Sequence, residues 1–195
     1  MSLPELAQPF DSVYISFYKG LGGITGAMLM GDKSFCAEAR IWLARFGGNL
    51  YTLLPYAVSA LAGFKRHIQH PEKKMMTFED KKDKIIRIVA SLSDDTEINQ
   101  IVAFDPQIPS VNMVHGYFKH SLDECNLAIK RVKEETGITV LSRMVEVQSD
   151  NPANRLGYKV KFELTMGCMN GGIEDEVFLL GWKQFASILL ASKKQ

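Results

Sequence analysis

The chain has 195 residues, 46% of them hydrophobic, and a formal net charge of +1 at pH 7. That is enough apolar material for a core of ordinary size, and it excludes an intrinsically disordered composition. The near-neutral balance gives no reason to expect nucleic acid or an anionic membrane as partner.

Cys36, Cys125 and Cys168 are widely spaced and form no Cys-x-x-Cys or Cys/His ligand pattern. They read as buried thiols in a reducing compartment. The first residues, Met1 to Leu6, lack a basic region followed by an apolar one, so no signal peptide is expected. No apolar run approaches the ~18 residues that span a bilayer. A cytoplasmic location is expected.

Val13 to Phe17 is rich in β-branched and aromatic residues and predicts a buried strand. It runs on to Lys19, and Gly20, Gly22 and Gly23 then turn the chain. Ile24 to Met30 predicts a second apolar strand. Lys33 to Phe46 predicts a helix with Phe35, Ala39, Trp42 and Phe46 on one stripe, stopped by Gly47-Gly48. Leu50 to Ile68 predicts another, bent or started near Pro55. The polar stretch from His70 to Lys74 is the candidate boundary. Phe78 to Leu92 predicts an amphipathic helix with Ile85, Ile88, Val89 and Leu92 inward.

From about Glu97 the pattern changes. Ile98 to Phe104 and Val111 to Phe118 predict strands around a Pro106/Pro109 turn. Ser121-Leu122-Asp123-Glu124 predicts a capping box, opening a helix that carries Leu122, Cys125, Ile129 and Val132 inward. Gly137 closes it. Ile138 to Val147 predicts a strand, and Ser149 to Gly157 a polar loop. Tyr158, Val160, Phe162 and Leu164 alternate with Lys159, Lys161 and Glu163, the period of a half-exposed strand. A last helix is predicted from about Ile173 to Leu190. Helices on one face of a small, mostly antiparallel sheet are expected after residue 97.

Lys19 is the residue with the clearest chemical potential. A lysine held rigidly at a strand end can form an imine with a carbonyl compound, given a neutral amine. Gly20-x-Gly22 resembles the start of a nucleotide-binding loop. However, Thr25 takes the last glycine place and a strand follows, so no helix N-terminus is offered to a pyrophosphate. His67 and His70 read as a solvated helix end. His115 and His120 have no carboxylate or cysteine at metal spacing, so no metal is expected. The Lys73-Lys74 and Lys81-Lys82 pairs read as a solvated helix face.

Phe10-Asp11-Ser12-Val13, Ser16-Phe17-Tyr18-Lys19-Gly20-Leu21-Gly22 and Gly26-Ala27-Met28-Leu29-Met30-Gly31 together resemble the pyridoxal phosphate-dependent threonine aldolase and β-eliminating lyase family. The stretch from Ala37 to Leu61 and, more faintly, Pro109 to His115 extend the match. The resemblance implies an aspartate aminotransferase-like fold (fold type I): an α/β architecture followed by a small α+β C-terminal domain. Family members are about twice this length and carry the cofactor lysine near the middle. The chain is therefore expected to be the C-terminal part of such a subunit. Residues 1–70 would be a remnant of the large cofactor-binding domain, 71–96 a helical connection, and 97–195 the small domain.

The resemblance also implies roles. Lys19 would hold pyridoxal 5'-phosphate and then move protons, and Ser16 would help hold the phosphate. Tyr18 could pack at the site or at a subunit contact. The family's carboxylate-binding arginine falls in the strand matching about Tyr158 to Leu164. Lys159 and Lys161 stand there instead, with Arg155 the nearest arginine, and a lysine is a poorer bidentate partner. Tyr51 stands where several aldolases carry an arginine reaching the neighbouring subunit. The family places the pyridine-pairing carboxylate, the stacking ring and the phosphate cup before the lysine. Asp11 is the only aspartate there, and it belongs to the word leading into the lysine strand.

Two functions are compatible with these residues. One is a lyase that cleaves a β-hydroxy-α-amino acid to glycine and an aldehyde, with aldolase and β-elimination not separated. The other is a catalytically inactive remnant or half-subunit acting as an interaction module. Self-association is expected, or pairing with an N-terminal half.

Overall fold

The computed structural model describes residues 3–69, 76–167 and 170–192. The chain divides into two units, Met1–Met75 and Met76–Gln195. The expected boundary at 70–74, the Lys73-Lys74 pair, His70 and Cys168 lie outside the described residues.

The first unit opens with a short helix, α1 (Leu3–Ala7), and a hairpin of β1 (Ser12–Ser16) and β2 (Ala27–Gly31). The strands pair antiparallel from Ser12 opposite Gly31 to Ser16 opposite Ala27. Both strands are shorter than expected at the turn end. After Ser16 the Phe17 N–H reaches across to the Gly26 carbonyl at 2.9 Å. Gly26 has φ +97°, and the Ile24 N–H turns away to the Ser59 hydroxyl at 3.0 Å.

α2 (Lys33–Arg45) starts where the Asp32 carboxylate accepts the Phe35 N–H at 2.7 Å, an N-cap. That bond, and then the Ser34 hydroxyl, holds the Asp32 carboxyl below its ordinary range. α3 (Leu54–Phe64) carries Pro55 in its first turn, where the missing N–H costs no helix bond. A π-helical turn, Lys65–Gln69, follows it. Among the described residues of this unit only Ala60 and Gly63 are buried.

The second unit holds a true core. Its sheet has the order β3-β4-β6-β5, antiparallel throughout, from β3 (Val102–Asp105), β4 (Met113–Phe118), β5 (Met144–Glu146) and β6 (Val160–Thr165). Val160, Phe162 and Leu164 point into the core, while Lys161 and Glu163 point out. The helices that cover the inner face are α4 (Phe78–Asp94), α5 (Ile98–Ile101), α6 (Leu122–Thr136) and α8 (Asp175–Ser192). Phe118, Phe162, Trp182 and Phe185 form its aromatic centre, with Phe118 and Phe162 stacked at 4.8 Å.

Ile85, Ile88, Val89 and Leu92 are all buried, so α4 is part of this core rather than a connection between units. The Thr77–Asp80 and Ser121–Glu124 capping boxes form with both bonds present, and Gly137 ends α6 at φ +74°. Three expectations shift. Ile98 to Ile101 is a helical turn and not strand, because the Asp95 carboxylate accepts the Glu97 and Ile98 N–H groups, both at 3.1 Å. Ile138 to Val147 keeps only Met144–Glu146 as strand. The 149–157 loop contains a short helix, α7 (Pro152–Arg155), capped by Asn151.

Candidate active-site residues and their settings

Lys19 stands in the turn that follows β1 and not on the strand itself, and it is exposed. Its carbonyl accepts the Gly22 N–H at 3.0 Å, and the Gly23 N–H reaches the Phe17 carbonyl at 2.7 Å. Gly22 has φ +67°, a conformation that favours glycine. The turn is backed by α3: Gly63 lies so close to the Leu21 carbonyl that a Cβ there would overlap it. The lysine turn is thus shaped by two close backbone approaches within its own unit.

Ser16 is the last residue of β1, three before Lys19. Its Oγ is buried and has no hydrogen-bond partner among the described residues. A buried hydroxyl ordinarily finds a partner, so this one is available to an added group. A cavity of about 630 Å³ lies in the same unit, lined by Phe17, Met28, Cys36, Arg40, Tyr56 and Ala60 among others. Neither Ser16 nor Lys19 lines it.

In the second unit Lys159 and Lys161 part company. The Lys159 N–H bonds the Phe118 carbonyl at 2.8 Å. The Lys159 charge adds to the Ser121 hydrogen bonds that hold the Glu124 carboxyl below its ordinary range. Lys161 instead lines a cavity of about 780 Å³ on the outer face and open edge of the sheet. Its ammonium sits 5.9 Å from the Tyr117 ring centre, within cation–π reach.

The same cavity takes in His115, Glu163 and Arg143. In register His115 faces Glu163 on one side and Asp105 on the other. Arg143 is the residue that sequence reasoning missed, since it named Arg155 as the nearest arginine. Val145 faces Lys161 across the β5–β6 ladder, which brings Arg143, two residues earlier, to the mouth of the same cleft. No linear signal announces that pairing. Arg155 lies on α7 and does not line the cavity.

A crystal structure of a candidate aromatic amino acid β-eliminating lyase/threonine aldolase from Exiguobacterium sp. 255-15 matches 96% of this chain at 32% identity, with a TM-score of 0.73. The chain is also similar to a candidate L-allo-threonine aldolase from Listeria monocytogenes EGD-E, at 29% identity over 96% of its length, with a TM-score of 0.76. This chain is a relative of threonine aldolase/β-eliminating lyase subunits. It spans about half the length of the two structures, 48% and 47% respectively. No protein-family model and no curated protein matches it. The threonine aldolase-like fold places this chain in fold type I, with the lysine hairpin in one unit and the α+β sheet in the other. No helix among its described residues is long and apolar enough to cross a membrane.

Proposed function

We propose that this chain carries the lysine turn and the small domain of a pyridoxal 5'-phosphate-dependent lyase of the threonine aldolase type, acting on a β-hydroxy-α-amino acid. The observation that carries the reading is the buried Ser16 hydroxyl without a partner, three residues from Lys19 in a glycine-bounded turn. A phosphate oxygen would satisfy that hydroxyl, so these residues fit the cofactor.

When bound, pyridoxal phosphate supplies an electron sink for the pair released on breaking a Cα bond. Lys19 would hold the cofactor through its ε-amine, and the same amine would carry a proton. Ser16 would donate its hydroxyl to the phosphate. Within the second unit, Lys161 would meet a substrate carboxylate as a point charge. The products are glycine and an aldehyde. We place the protein in the cytoplasm and expect it to self-associate.

A second reading, an interaction module without catalysis, is favoured by the exposure of the first unit's apolar side chains. Phe46 is 81% exposed, and Tyr14, Ile24 and Leu54 are exposed as well. One experiment separates the two: add pyridoxal phosphate to the purified chain, reduce with borohydride, and map the modified peptides, with Lys19→Ala as control. Selective modification of Lys19 supports the lyase. Diffuse modification of many lysines, unchanged in the variant, supports the module.

A further inference from the structure

The cleft on the second unit's sheet is lined by two side-chain cations, Lys161 and Arg143, and by one carboxylate, Glu163. The β5–β6 ladder ends at Met144 opposite Phe162. Beyond it, the segment leading into Met144 and the Glu163–Thr165 end of β6 both line the cleft without being paired to each other. Lys161 and Arg143 line it together, with His115 and Glu163. Glu163 is the acidic side chain among them, and its Oε1 accepts the Thr165 hydroxyl at 2.8 Å. Arg143 makes no ion pair or hydrogen bond among the described residues.

An unpartnered guanidinium in the same cleft as a second cation can take a planar anion, which it grips with two parallel hydrogen bonds. If Lys161 takes the α-carboxylate, Arg143 remains for another negative group on the same ligand. We propose that Arg143 is a specificity-determining residue that selects amino acids whose side chain ends in an anion. The substrate class becomes a β-hydroxy-α-amino acid bearing a second carboxylate. This rests on the reading of Lys161 as the α-carboxylate contact.

The test compares L-aspartate with L-asparagine, which has the same shape and no side-chain charge. Binding to the full chain is measured by isothermal titration with no cofactor added, so that a failure at Lys19 does not enter. The native chain binds aspartate about tenfold more tightly than asparagine, the scale of one charge-assisted pair. Arg143→Ala brings aspartate down to the asparagine level and leaves asparagine unchanged. Arg143→Lys restores part of the preference. Equal affinities in the native chain, binding of neither ligand, or equal weakening of both by Arg143→Ala overturns the assignment. Lys161→Ala tests the underlying reading separately. If asparagine binding survives it while the aspartate preference still depends on Arg143, Lys161 loses its role and Arg143 keeps its own.

Discussion

Gly116 and Phe162 face each other across the β4–β6 ladder, and the Phe162 ring fills the space that a side chain at Gly116 would need. The ring in turn stacks on Phe118 and approaches Phe104 edge-on at 6.2 Å. The absent Cβ therefore lets the aromatic centre lie flat on the sheet.

Gly116→Ala is expected to destabilise the second unit even though alanine is the better strand residue by entropy alone. The overlap forces Phe162 and its stacked neighbours to shift, a cost of about 1–3 kcal/mol. Urea unfolding followed by tryptophan emission, with Trp182 in the same cluster, reads it directly. An unchanged or raised midpoint would show that the ring moves at no cost.

Lys84 is 5% exposed and its ammonium donates to the Gly171 carbonyl at 2.9 Å and to the Ile173 carbonyl. Asp175 completes the set at 3.3 Å, and Arg87 reaches the other oxygen of that carboxylate. These bonds pin the connection from β6 to α8. Lys84→Met keeps the packed stem and orphans the carbonyls, costing about 1–3 kcal/mol for each that stays buried. Hydrogen exchange should rise first around Ile173 and Asp175. Global loss of stability with no local signal would contradict a pinning role.

Acid should weaken the second unit at its helix starts. The carboxyls of Asp80, Asp95 and Glu124 are held low, chiefly by hydrogen bonds from Thr77, Ile98 and Ser121 respectively. A carboxyl with a lowered folded pKa adds stability that is fully present above its unfolded value of about 4. That stability is lost as pH falls through the lowered folded values. Ser121→Ala, which removes one cap at a cost of about 1 kcal/mol, should flatten this dependence. Unfolding midpoints compared at pH 6 and pH 3 for both chains check it, and parallel curves would count against the Glu124 contribution.

In the first unit, Gly63→Ala should impair cofactor attachment at Lys19. Alanine inside a helix normally gains about 1 kcal/mol over glycine. Here its methyl meets the Leu21 carbonyl, a backbone atom that cannot rotate aside. The Lys19–Gly22 turn must move instead. Borohydride trapping at Lys19 is the measurement, and undiminished labelling would separate the turn's shape from its chemistry.

Much of the second unit was legible in sequence because its signals are local. The Ser121–Glu124 box closes within one turn of chain, and the Val160/Phe162/Leu164 alternation depends only on the strand period. The turn at Ile98–Ile101 was misread because Ile98, Ile101, Val102 and Phe104 are buried in either conformation. The Asp95 carboxylate decided between them. The candidate site was legible only in part. Lys19 and Ser16 are three residues apart, and a short word can carry them.

By itself the sequence determined the caps and the inward faces of α4 and α6, since each depends on neighbours within a few residues. Only the tertiary structure decided that α4 belongs to the second unit, that Lys159 and Lys161 serve different surroundings, and that Arg143 reaches the Lys161 cleft. Those outcomes depend on which strands pair and in what register. Register is set by burial summed over the whole sheet, and no short stretch of chain contains it.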